Sequence, residues 1–83
     1  MTAVLFYNEP GTGVMAVFPK EYWTDISRDT FTCYAHIGQH SAVHKDYLKE
    51  CTLATKDEYS DLQKELESIG YKLRIITPKA ADL

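Results

Sequence analysis

The sequence predicts an α+β fold, a two-layer sandwich in the order β-β-β-α-α-β. The expected sheet is four-stranded and mostly antiparallel, with both helices on one face. Three observations predict it. Apolar runs of strand length, bounded by turn residues, fill the first half of the chain. The apolar period lengthens abruptly after Gly38-Gln39-His40. A capped amphipathic stripe then runs to Gly70, followed by a last alternating segment.

Ala3–Tyr7 (AVLFY) reads as the first strand and Val14–Phe18 (VMAVF) as the second. Pro10-Gly11 is a turn dipeptide and Gly13 tolerates a positive φ, so the two strands form a hairpin with a longish loop. Pro19 has no amide hydrogen and is expected to end the second strand. Lys20–Thr30 is a surface connection that nevertheless carries Tyr22, Trp23 and Ile26. Such a connection either lids the core edge or presents a contact surface.

The third strand is Thr30–Ile37. Phe31, Cys33, Ala35 and Ile37 fall on one side, Thr32, Tyr34 and His36 on the other. Gly38-Gln39-His40 then reads as a hinge from strand to helix, with Ser41 as the N-cap. Val43, His44, Tyr47, Leu48 and Cys51 share one sector of a helical wheel, giving a short helix that ends near Cys51-Thr52.

The next helix has the stronger signals. Thr55 and Glu58 form a capping box, and Asp57 and Glu58 sit where the helix dipole favours anions. Tyr59, Leu62, Leu66 and Ile69 form its apolar stripe. Gly70 supplies a left-handed stop, with Tyr71 placed to touch Leu66 across it. Tyr71–Thr77 resumes strand character, with Leu73 and Ile75 alternating against Lys72 and Arg74. Pro78 ends that strand and Lys79–Leu83 is expected to be a loose tail.

With 83 residues the chain is read as a single domain, 1–83, with a small core. A domain of this size buries roughly 60–65% of the surface its unfolded chain exposes. The net charge is −3 and evenly spread, so no basic face announces nucleic acid. The run Ala3–Tyr7 is too short, and too poor in basic lead residues, for a signal peptide. No apolar run has membrane-spanning length. A cytoplasmic location is therefore expected, with no membrane partner and with Cys33 and Cys51 as thiols.

Three constellations bear on chemistry. Cys33, His36, His40, His44 and Cys51 are potential soft-metal ligands, but neighbours three apart on a strand point to opposite faces. Only His36 with His40, or His40 with His44, remains as a metal alternative, and the reading is no metal and no cofactor. The residues Gly38, His40 and Ser41, with His36 nearby, could gather free amides, a hydroxyl and imidazoles around an anion at a helix start. Ordinary capping by Ser41 explains the same residues. A nucleophilic cysteine needs exposure and a cationic setting. Cys33 lies on the apolar side of its strand, and Cys51 near a helix C-terminus, so both read as inert core thiols and no catalytic residue is assigned.

Tyr34–Ser41 (YAHIGQHS), Glu58–Leu62 (EYSDL) and Glu67–Tyr71 (ESIGY) resemble a set of short uncharacterised bacterial proteins found among mobile-element and phage-like genes. That resemblance covers most of the chain and implies no activity. Gly13–Pro19 (GVMAVFP) is similar to the end of the second strand in the N-terminal domain of HicB-type antitoxins. It implies a β-β-β-α-β order and a small toxin as partner. The antitoxins' Pro-Gly-Cys turn, Glu-Glu-Ala helix start and DNA-binding segment have no counterpart here.

Together these readings point to a small binding or protein-interaction module without catalysis. It is expected to form a homo-oligomer, a dimer, or to hold a small protein partner. Gly38, His40, Ser41 and His36 are its candidate ligand residues, and Trp23, Tyr22 and Tyr34 its candidate interaction surface. The rivals are a HicB-like partner-binding protein and a small metal- or anion-dependent enzyme using His36, His40 and His44.

Overall fold

In the computed structural model of the protein, residues 1–22, 29–35 and 39–81 are described. Among those residues the fold is α+β, with a six-stranded sheet and one α-helix. Strand β1 (Thr2–Glu9) pairs antiparallel with β2 (Gly13–Tyr22) in a hairpin whose loop places Gly11 at φ 74° and Gly13 at φ 124°. Both glycines occupy the left-handed half of backbone space, where a Cβ is strained. Strand β2 runs on past Pro19, contrary to expectation. The register with β3 (Thr30–Ala35) shifts between Phe18 and Tyr22, and such an irregularity is where a sheet tolerates proline.

The main correction falls on the centre of the chain. Gln39–His44 is not the start of a helix but a strand, β4, antiparallel to β3 from Ala35↔Gln39 to Thr30↔His44. The wheel sector that suggested a helix comes from three separate pieces. Val43 lies on β4, Tyr47 and Leu48 lie on a one-turn 3-10 helix (Tyr47–Glu50), and Cys51 caps it. All four side chains reach the same apolar cluster, which is why their spacing looked helical. Pairing with β3 overrides the helix propensity of Gln39 and Ala42, and β-branched Val43 packs well opposite Phe31 on a sheet.

Strand β5 (Thr52–Leu53) then pairs antiparallel with Tyr7 and Asn8, and β6 (Leu73–Ile75) pairs parallel with Thr2–Val4. The last strand thus lands beside the first. The sheet order is β4-β3-β2-β1-β5, with β6 sharing the outer side of β1.

Helix α1 (Lys56–Ser68) connects those two short strands and behaves as its sequence predicts. The Thr55 amide donates to Glu58 Oε1 at 2.8 Å and the Glu58 amide to Thr55 Oγ1 at 3.4 Å, a reciprocal box. Leu62 and Leu66 are fully buried, and Tyr59 stacks on Phe6 with centroids 4.4 Å apart. Gly70 at φ 114° lets the Tyr71 amide reach the Leu66 carbonyl at 3.1 Å and its own amide reach Glu67 at 3.2 Å, a Schellman stop. Ile69, expected on the stripe, is instead exposed at the C-cap.

The core is divided by the sheet. Val4, Phe6, Ala16, Phe18 and Tyr34 meet Leu62 and Leu66 on the helix face. Leu5, Tyr7, Met15, Val17, Phe31, Cys33 and Val43 form the opposite face, covered by Leu48 and by the C-terminal turn. That turn corrects two further expectations. Ile76, rather than Ile75, packs inward, and Ala81 is buried rather than part of a loose tail. The Ala81 amide donates to the carbonyls of Thr77 and Pro78, closing the turn. Both faces of the sheet are therefore covered, not one. Among the described residues no helix is long and apolar enough to cross a membrane.

Candidate functional site

Strand alternation separates the residues that the sequence had gathered at a hinge. In β4, His40, Ala42 and His44 share the helix face with Tyr34 and Thr32, while Ser41 and Val43 share the other face with Cys33 and Phe31. His40 and Ser41 therefore cannot converge on one ligand. The anion site expected there also lacks its helix, since Ser41 lies within a strand. Four residues of strand place His40 and His44 about 13 Å apart along the backbone, too far for one ion. Among the described residues, no group of three or more His, Cys, Asp and Glu side chains gathers. His36, Gly38 and Trp23 lie outside the described residues.

On the helix face, His40 joins an aromatic cluster. Its Nε2 is 2.7 Å from the Tyr71 hydroxyl, and its ring meets the Tyr34 ring edge-on at 4.9 Å. Tyr71 in turn stacks on Phe18 at 5.2 Å. Tyr34, expected on an interaction surface, is only 4% exposed. A hydrogen bond to the Glu65 carboxylate, then burial, pushes its phenol up, and burial followed by Glu21 does the same for Tyr71. Both phenols stay protonated at neutral pH, and both rings contact His40. Tyr22 is 40% exposed and stacks on Phe31 at 5.8 Å.

The opposite face holds a cleft of about 350 Å³ bordered by Glu9, Met15, Cys33, Ser41, Val43 and Tyr47. Cys33 Sγ lies 3.2 Å from Ser41 Oγ, and Tyr47 donates its hydroxyl to Glu9 Oε2 at 2.9 Å. Burial pushes the Cys33 thiol up, with Glu9 adding to the effect and Ser41 opposing it. Burial, then Glu9 and Glu50, does the same for Cys51, whose thiol donates to the Tyr47 carbonyl at 3.5 Å. A thiol held protonated beside carboxylates is a poor nucleophile. His44, placed by the sequence in the apolar sector of a helix, is exposed, and its Nδ1 accepts the Asp46 amide at 3.1 Å.

What remains of the centre as a site is its backbone. The Lys45 amide donates to the Asp29 carbonyl at 2.7 Å, which makes Asp29 and Lys45 a hydrogen-bonded pair. Pairs alternate along an antiparallel ladder. Val43, Ser41 and Gln39 therefore also bond inward to β3, and His40, Ala42 and His44 turn their N–H and C=O groups away from it. Among the described residues no strand pairs with that outer side. The edge carries no proline, no bulge and no Lys or Arg between Gln39 and His44, the devices that normally blunt an edge strand. Sequence reading missed Ala42 and the edge it centres. The available signal was β-branched Val43, which favours a strand over a short helix.

Comparison with protein-family models, with curated proteins and with solved structures finds no match.

Proposed function

We propose that the chain is a small protein-interaction module that works by strand addition at β4, without catalysis of its own. One observation carries the reading: a regular six-residue edge whose His40, Ala42 and His44 backbone groups face outward and which holds no Lys, Arg, Asp, Glu or proline from Gln39 to His44. An extended segment laid along it gains main-chain hydrogen bonds, and pockets for alternate side chains supply selectivity. The cleft beside Cys33 and Ser41 flanks one face of the edge as such a pocket, and the His40–Tyr71 pair lines the other face. Both cysteines are free thiols, in keeping with a cytoplasmic setting. The likeness of Gly13–Pro19 to HicB-type antitoxins, proteins that hold a small partner, agrees in kind with this reading.

The test is to screen a panel of extended peptides against the labelled full chain by NMR. Binding should move the amides of His40, Ala42 and His44 before any others. Peptides that shift α1 while leaving those three amides still would sink the proposal.

A further inference from the structure

We infer that the strand added at β4 is β4 of a second copy, paired antiparallel about a two-fold axis through Ala42. The inference rests on the edge reading above and names its partner.

The outward groups are self-complementary. With the axis at Ala42, His40 faces the partner's His44, Ala42 faces its own mate, and His44 faces the partner's His40. All are outward-facing residues, so each becomes a hydrogen-bonded pair exchanging two bonds, about six in all. Sliding the partner by two residues loses a pair in either direction. One slide sets Asp46, whose backbone is helical at φ −69° and ψ −29°, opposite His40. The other carries the pairing past Gln39, beyond the strand. The Ala42 register is thus the one in which every outward group of β4 finds a partner.

Side chains agree with that register. Ala42 is exposed and small, so its Cβ meets its mate's without a clash. The two-fold axis stands perpendicular to a sheet continuous across both copies, which sets both α1 helices on the same face. His40, held by Tyr71 and Tyr34, then lies beside the partner's His44, held by the amide of the partner's Asp46. No residue from Gln39 to His44 is Asp, Glu, Lys or Arg, so no like charges oppose one another across the axis.

The experiment is sedimentation of the full chain across a wide concentration range, with three substitutions at residue 42. The wild-type chain should move from monomer toward dimer as concentration rises. Ala42→Pro removes an outward amide that the intrachain ladder does not use, so it should leave thermal unfolding of the monomer in place and weaken association about thirtyfold, the loss of two bonds. Ala42→Glu and Ala42→Lys should each stay monomeric alone and associate one to one when mixed. A dimer indifferent to all three substitutions would overturn the inference by placing the interface elsewhere. A chain monomeric at every concentration would also overturn it, and the peptide screen then decides separately whether the edge still binds a foreign strand.

Discussion

The two edges of the sheet are finished in opposite ways. Beside β1 the edge is divided between two short strands of opposite direction, two residues of β5 and three of β6. Hydrogen bonds outside those ladders fill the gaps: Ala54 donates to the Phe6 carbonyl, Ile76 to Val4 and Thr2 to Lys72, all within 3.0 Å. Helix α1 spans the space between the two strands and fixes both. Beside β3 the edge is a single regular strand of six residues with every second backbone group turned outward. A divided edge offers no template for another chain, whereas a straight one does. The contrast teaches where this chain invites a partner and where it refuses one.

The largest break in that contrast should come from α1. Leu66 is fully buried against the helix face, so Leu66→Ala should cost about 2–5 kcal/mol in urea unfolding. Because α1 holds β5 and β6, amide exchange at Ala54 and Ile76 should quicken more than at Ser41 or Val43. Equal acceleration at both edges would show that the helix does not guard one of them in particular. Gly70→Ala is the next effect. At φ 114° an L side chain is strained, although nothing crowds the new methyl, so the cost should be about 1–2 kcal/mol. It should appear as lost protection at Tyr71 and Leu73, where the chain enters β6. A change below experimental error would mean the Schellman stop is not what aims that strand.

Helix α1, which spans the far edge, was legible in the sequence, although the two strands it joins were not placed there. Thr55, Glu58 and Gly70 act through contacts a few residues apart, and the spacing of Leu62 and Leu66 marks one face of the helix whatever that face meets. The near edge was not. Val43, Tyr47, Leu48 and Cys51 share a destination but not an element, and a helical wheel cannot tell one helix from a strand followed by a turn. Choosing between them requires knowing that Phe31 and Cys33 lie opposite Val43 and Ser41, a pairing that spacing along the chain does not print. The same blindness misplaced the candidate site. His40 and Ser41 are neighbours in sequence and face away from each other in space, while Tyr71, far off in the chain, holds the His40 ring. Strand β6 landing beside β1 and Ala81 closing the second face are long-range outcomes of the same kind.

The smallest expected effect concerns how each edge responds to pH. At the far edge, the amide of Thr55, then the Asn8 side chain, holds the Glu58 carboxyl below its usual range. Its stabilisation is present above the unfolded carboxyl's pKa and fades as pH falls through the folded value. On the face that covers the near edge, the sign is reversed. The Tyr47 hydroxyl, bonded first of all to Glu9 and then partly desolvated, is pushed up to about 12. The folded state holds that proton more tightly than the unfolded chain, whose phenols titrate near about 10. The stabilisation is thus fully present below that value and lost as pH climbs toward the folded one. Tyr47→Phe should flatten the fall of the urea midpoint across that alkaline window while leaving the contribution of Glu58 on the acid side unchanged. Some alkaline slope should survive, because burial also raises Tyr7 and the Cys33 and Cys51 thiols on the same face. If the variant's alkaline slope matched that of the parent, the Tyr47–Glu9 bond would not tie the 3-10 helix to β1, and the cover over that face would have to be held by Leu48 and the C-terminal turn.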